Sequence, residues 1–140
     1  MIDPCFSDSY TRDPMKFAED HNSSKYKITG YDINGSEKGV EINGRTFTQS
    51  FILSPMELIS DWQPQDLSSL TIEHFADLYE MKPEVIILGT GQIQTFPERD
   101  ILKYLVQNRI GYEIMDTQAA CRTFNVIMAE GRNVVAGMFI

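Results

Sequence analysis

Gly89-Thr90-Gly91-Gln92-Ile93-Gln94 follows directly on a run of apolar residues, Val85-Ile86-Ile87-Leu88. Glycines in that position suit a backbone that turns tightly or lets an anionic group come close. A dinucleotide fingerprint needs a third glycine where Gln94 stands, and a phosphate-cradling loop needs Gly-Lys followed by Ser or Thr. Neither pattern is present. Two readings stand for the loop: a tight turn, or a ligand contact made by Gly89, Thr90, Gly91 and Gln92. In either case both glycines are expected to need conformations that a β-branched residue resists.

The second block with chemical potential runs from Glu113 to Asn125 and passes from a strand into a helix. Thr117 reads as the N-cap, which leaves first-turn N–H groups free to meet an anion. Helical spacing puts Ala120, Phe124, Ile127 and Met128 on the buried face and Arg122 off its centre. Arg122 then either pairs with Glu113 or Asp116, or waits for a carboxylate or phosphate. Together with Asn125 it completes a candidate ligand set: Gly89, Thr90, Gly91, Gln92, Arg122 and Asn125. Cys121 lies about one turn inside the helix with no histidine near it in sequence, so a packed thiol fits better than an activated nucleophile. His74, flanked by Glu73 and Phe75, reads as a surface histidine. Two histidines and two widely separated cysteines, Cys5 and Cys121, offer no metal-ligand spacing. No residue reads as catalytic, and no cofactor motif is present.

The elements that must position these residues divide into two parts. Asn34-Gly35 and Asn43-Gly44 are hairpin-turn pairs. A two-residue turn at Asn43-Gly44 sets Val40 opposite Phe47 and Ile42 opposite Arg45, which places Val40, Ile42 and Phe47 on one face. A three-residue loop, Asn34-Gly35-Ser36, pairs Ile28 with Ile42. Strands are expected at about 26–33, 39–42 and 45–53, an antiparallel β meander. The second part begins after the Asp61-Trp62-Gln63-Pro64 loop. Thr71 caps a helix carrying Ile72, Phe75, Ala76 and Tyr79 that stops near Met81, before Pro83. Val85–Leu88 is a strand covered on both faces. Thr95-Phe96-Pro97-Glu98 has capping-box spacing and opens a helix with Ile101, Leu102, Leu105 and Val106 on one face; Gly111 ends it. A strand at 112–115, a helix ended by Gly131 and a last strand at 133–140 follow. Strand, helix, strand from Val85 to Met115 is a right-handed crossover, hence parallel pairing. The fold class is α/β.

One hundred and forty residues suffice for one domain, and an apolar content of 42% with 23% charged residues is that of a globular chain. Twelve basic against twenty acidic residues give a net charge of −8, which argues against nucleic acid and anionic membranes as partners. No stretch approaches the length of a membrane span. Met1 to Pro14 reads as a cloning scar or upstream extension, with a single domain over 15–140. That opening stretch has neither a secretory apolar region nor an Arg-rich amphipathic pattern, so it reads as neither a secretory signal nor an organellar transit peptide.

The order Gly89-Thr90-Gly91, Pro97, the block from Glu113 to Asn125 with its Met-Asp-Thr and Ala-Ala-Cys-Arg-Thr segments, and Ala129-Glu130-Gly131-Arg132 resembles a family of small proteins. That family includes mitochondrial complex I assembly factor three and many bacterial and archaeal members; without the transit peptide of the mitochondrial member, this chain is expected to be bacterial and cytoplasmic. The resemblance spans most of Met15 to Ile140. It implies a three-layer β plus α/β arrangement around a central mixed sheet, and a non-enzymatic binding or assembly factor with a protein partner. The competing expectation, from the residues, is a small anionic ligand between the Gly89–Gly91 loop and the start of the Thr117 helix, bound by a carrier or an enzyme.

Overall fold

Alternation of apolar and polar residues around Asn43-Gly44 builds the first sheet. The computed structural model describes residues 24–32 and 38–140. The turn at Asn34-Gly35-Ser36, the 1–14 segment, Cys5 and His21 lie outside the described residues. β1 (Ile28–Asp32), β2 (Gly39–Ile42) and β3 (Arg45–Phe47) form a three-stranded antiparallel sheet in that order. Val40 pairs with Phe47 and Ile42 with Arg45, and Asn43 and Gly44 have the positive φ values, 52° and 85°, of the expected tight turn. Ile28 lies opposite Ile42, and a bulge at Thr29 carries the register shift before Gly30 meets Glu41.

The expected strand over 45–53 is two strands in two sheets. β3 ends at Phe47, and β4 (Phe51–Leu53) joins a five-stranded sheet of order β5-β4-β8-β6-β7. The burial pattern explains the break. Arg45 and Thr46 are exposed and Phe47 is half-buried, whereas Phe51, Ile52 and Leu53 are all fully buried and require cover on both faces. Buried Ser50 sits at the crossing, donates to the carbonyl of Pro64 and lies 3.2 Å from that of Trp62.

The remaining elements are β5 (Leu58–Ile59), α1 (Ile72–Tyr79), β6 (Val85–Thr90), α2 (Arg99–Gln107), β7 (Gly111–Met115), α3 (Thr117–Ala129) and β8 (Val134–Phe139). β6 pairs in parallel with β7 on one side and β8 on the other, so the crossover deduced from Val85 to Met115 is present. β4 runs antiparallel to β8, which makes the sheet mixed. The three-stranded sheet and α3 share one core with Phe51, Ile87 and Met138, while α1 and α2 share the other with Ile86, Leu88 and Val135. Alternate residues of the central strands thus feed two cores, as the period of a strand dictates.

Three helix readings shift. α1 buries Phe75 and Leu78, and its expected core members Ile72 and Tyr79 are exposed. α2 starts at Arg99 with Glu98 as an N-cap that makes no side-chain bond; the expected capping box with Thr95 does not form, and the Thr95 N–H is captured instead by Thr90 Oγ1. Its left-handed C-terminal residue is Arg109 (φ 54°) rather than Gly111, which opens β7. There the Ile110 N–H reaches the Leu105 carbonyl, and both side chains join the same core. The Trp62 loop is irregular in backbone but core in side chain. Its indole stacks on Phe139 at 5.3 Å, in room left by Gly137, where a Cβ would lie 2.8 Å from the Trp62 ring.

Candidate functional site at the carboxyl end of the sheet

In open α/β sheets, ligands meet the loops that follow the carboxyl ends of the strands. Here those loops are Gly91–Glu98, between β6 and α2, and the single residue Asp116, between β7 and α3. They come together through Thr117. The Gly91 N–H donates to Thr117 Oγ1 (2.8 Å), and the Thr117 N–H donates to the Gly91 carbonyl (2.9 Å). Thr117 Oγ1 itself donates to the carbonyl of Phe139. One buried hydroxyl therefore ties the end of β6, the start of α3 and the end of β8.

The two glycines serve different ends. Gly91 has φ of 97°, the conformation expected of a turn glycine. Gly89 does not have a positive φ; it is needed for close approach. A Cβ there would stand 2.7 Å from Met138 Sδ, 3.0 Å from Thr117 Oγ1 and 3.2 Å from Ala120 Cβ. The rest of the loop is also held internally. Thr90 Oγ1 donates to the Ile93 carbonyl (2.7 Å), lies 3.2 Å from the Met115 carbonyl and accepts from the Thr95 N–H. Gln94 Nε2 donates to the carbonyl of Ile114 on the edge strand β7 (2.9 Å). Gln92 is exposed.

The α3 N-cap is Asp116, whose side chain accepts from the Ala119 N–H (2.9 Å), and Thr117 is the first helical residue. This corrects the expectation of Thr117 as cap. Asp and Thr compete for that role, and Asp can bond the backbone while Thr is drawn into the core. Two of the first three helix N–H groups are thus satisfied by Gly91 and Asp116, and the Asp116 carboxylate already complements the helix dipole.

Arg122 and Asn125 face a different neighbour. Arg122, exposed, donates from Nη1 to the Tyr31 hydroxyl (3.2 Å), a contact that favours the charged guanidinium. The expected partners Glu113 and Asp116 do not hold it by a hydrogen bond; Asp116 acts only through its charge. Asn125 clamps Ile28, donating from Nδ2 to its carbonyl (2.7 Å) and accepting its N–H at Oδ1 (3.2 Å). Both therefore fasten α3 to β1. Of the candidate ligand set, the structure brings Gly89, Thr90, Gly91 and Gln92 together at the end of the sheet, and sets Arg122 and Asn125 against the three-stranded sheet.

Cys121 is fully buried, and desolvation pushes its thiol up to about 12 against an opposing effect of Arg122. A thiol so placed is not a nucleophile at neutral pH. His74 closes a capping box with Thr71, its Nδ1 accepting the Thr71 N–H at 3.1 Å. Among the described residues no group of three or more His, Cys, Asp or Glu side chains is arranged to hold a metal. None of their helices is long and apolar enough to cross a membrane. The residue that sequence reasoning missed is Thr117 as a staple. The available signal was a glycine, Gly89, inside a strand, which marks close approach by another element.

Comparison with known proteins adds to this geometry. A family described as "Protein of unknown function (DUF498/DUF598)" matches residues 33–139. A Danio rerio protein named NADH dehydrogenase (ubiquinone) 1 alpha subcomplex assembly factor 3 is 29% identical over 140 residues, covering 98% of this chain and 77% of its own. A Francisella tularensis protein named 13 kDa major membrane protein is 27% identical over 95 residues, covering 66% of this chain and 76% of its own. The NMR structure of a Xanthomonas campestris protein superimposes with a TM-score of 0.75 at 35% identity, covering 90% of this chain and 92% of the other.

Proposed function

This chain belongs to the DUF498/DUF598 family, and from that premise we propose that it is a non-enzymatic binding protein that helps assemble a larger protein complex. The observation that carries the reading is the Thr117 junction. The place where an α/β sheet offers a ligand its site is here occupied by the protein's own hydrogen bonds, between Gly91, Thr117 and Phe139. Similarity to proteins named as NADH dehydrogenase assembly factors, over 98% and 94% of this chain and 77% and 70% of theirs, supports the same class of role.

In this reading the protein works in the bacterial cytoplasm, and its client is a respiratory NADH dehydrogenase. The same reading has it attach peripherally to a membrane-bound client, and one relative is named a membrane protein. Deletion of the gene tests the proposal. Membranes from the deletion strain are expected to lose NADH dehydrogenase activity and to accumulate partial complexes on native gels, with both restored by the wild-type gene. Fully assembled enzyme in the deletion strain overturns it.

A further inference from the structure

α1 is short, and its outward surface carries apolar and acidic residues side by side. Phe75 and Leu78 turn inward, leaving Ile72 and Tyr79 exposed at 38% and 44%. Residues seven apart lie on one stripe of a helix, with Ala76 between them. One position further round, Glu73, Asp77 and Glu80 form a second stripe, all exposed. An apolar row therefore runs beside a carboxylate row over two turns.

The surrounding sequence sharpens the charge. From Thr46 to Met81 the chain has no Lys or Arg, while it carries Glu57, Asp61, Asp66, Glu73, Asp77 and Glu80. Asp66 is held below the usual carboxylate range by the Ser68 and Ser69 hydroxyls. The cations that flank α1 are Lys82, just beyond its end, and Arg99 and Lys103 on α2, which packs beside it.

We propose that the Ile72–Glu80 face of α1 is the docking surface of this protein for a basic amphipathic helix of another protein. The proposal rests on the reading of the chain as a binding protein and names its contact. Charge complementarity selects the occupant. Aliphatic side chains of the incoming helix cover Ile72 and Tyr79, and its Lys or Arg residues meet Glu73, Asp77 and Glu80, an arrangement of apolar anchors with a charged rim. A second copy is disfavoured, since it brings the same carboxylate row and a like net charge of −8. An anionic lipid surface is disfavoured for the same reason.

The test uses the whole protein, isotope-labelled, titrated with a synthetic 14-residue amphipathic helix of leucine and lysine and followed by NMR. The expected result is selective shifts of amides in 72–80, about tenfold weaker binding at high salt, and no binding of the matching leucine–glutamate peptide. Glu73→Gln/Asp77→Asn/Glu80→Gln is expected to weaken binding about tenfold, as is Tyr79→Ser, while Glu98→Gln/Asp100→Asn/Glu113→Gln, with the same net charge, leaves it unchanged. Shifts mapping elsewhere, equal binding by both triple variants, or a dimer by light scattering that buries α1 overturns the proposal. In the deletion strain the first triple variant separates the two ideas. If it restores NADH dehydrogenase as well as the wild type does, the docking surface falls and the assembly role stands. If deletion never impaired assembly, the assembly role falls first.

Discussion

Two loops at the same end of the same sheet have opposite fates. The loop from β7 to α3 is one residue long, and its helix begins with a buried threonine that binds two other elements. The loop from β6 to α2 is eight residues long, from Gly91 to Glu98, and lifts Ile93 and Phe96 to 72% and 65% exposure before an uncapped helix start. Both follow parallel strands, so topology alone does not distinguish them. Connection length does. A one-residue link leaves the helix N-terminus no choice but to sit on the neighbouring strand ends, where its polar groups must be satisfied internally. An eight-residue link can satisfy its backbone through Thr90, which meets the Ile93 carbonyl and the Thr95 N–H, tie itself to β7 through Gln94, and still expose its apolar side chains.

The largest expected contrast concerns Cys121, behind the closed junction. At pH 8 its alkylation by iodoacetamide, read on the Cys121 peptide by mass spectrometry, is expected to be on the order of a thousandfold slower in the native protein than in denaturant, because a thiol shifted from 9.0 to about 12 holds that much less thiolate. The linkage has a definite sign. The unfolded thiol ionises first, so the stabilisation is full below pH 9 and declines as pH rises toward 12. Fast native labelling would show that α3 opens readily and that the junction is not closed.

Next in size is Thr117→Val, which keeps the shape and removes the hydroxyl. It strands the buried Gly91 N–H and Phe139 carbonyl and is expected to cost about 3 kcal/mol in urea unfolding. A loss below about 1 kcal/mol would mean that Thr117 does not staple the three elements. Gly89→Ala should cost about 2 kcal/mol by overpacking against Met138 and Thr117. Gly91→Ala, strained in φ but with open space around its Cβ, should cost about 1 kcal/mol. The reverse order would assign the tight approach to Gly91 instead.

The two helix starts give a smaller contrast. Asp116→Ala removes a cap bond and should cost about 1 kcal/mol, whereas Glu98→Ala, with no cap bond to lose, should stay within about 0.3 kcal/mol. Smallest is Arg122→Met, expected within about 0.5 kcal/mol because the exposed guanidinium holds only the Tyr31 hydroxyl. A melting-temperature rise with inorganic phosphate in the wild type that vanishes in Arg122→Met would instead identify an anion site on α3.

The sequence by itself determined the features with local causes. Asn43-Gly44 dictates its turn and, through side-chain alternation, the Val40–Phe47 register. The continuous apolar run at Val85–Leu88 dictates a doubly covered strand, and the strand–helix–strand order dictates parallel pairing with β7. Thr71 and Gly131 punctuate their helices where expected. What only the tertiary structure decided depends on contacts between residues far apart in the chain. Whether 45–53 is one strand or two turns on Ser50 meeting the carbonyls of Trp62 and Pro64. Which side of α1 is buried turns on Leu78 packing near Gly137 and Trp62. Whether Arg122 and Asn125 join the glycine loop turns on β1, whose contacting residues lie 91 and 97 positions upstream and take both side chains. Periodicity states that a helix has an apolar face and that a charged side chain stands off it. The partner available at that place is set by the packing of the whole chain, because hydrogen bonds and buried volume are satisfied in space and not in sequence.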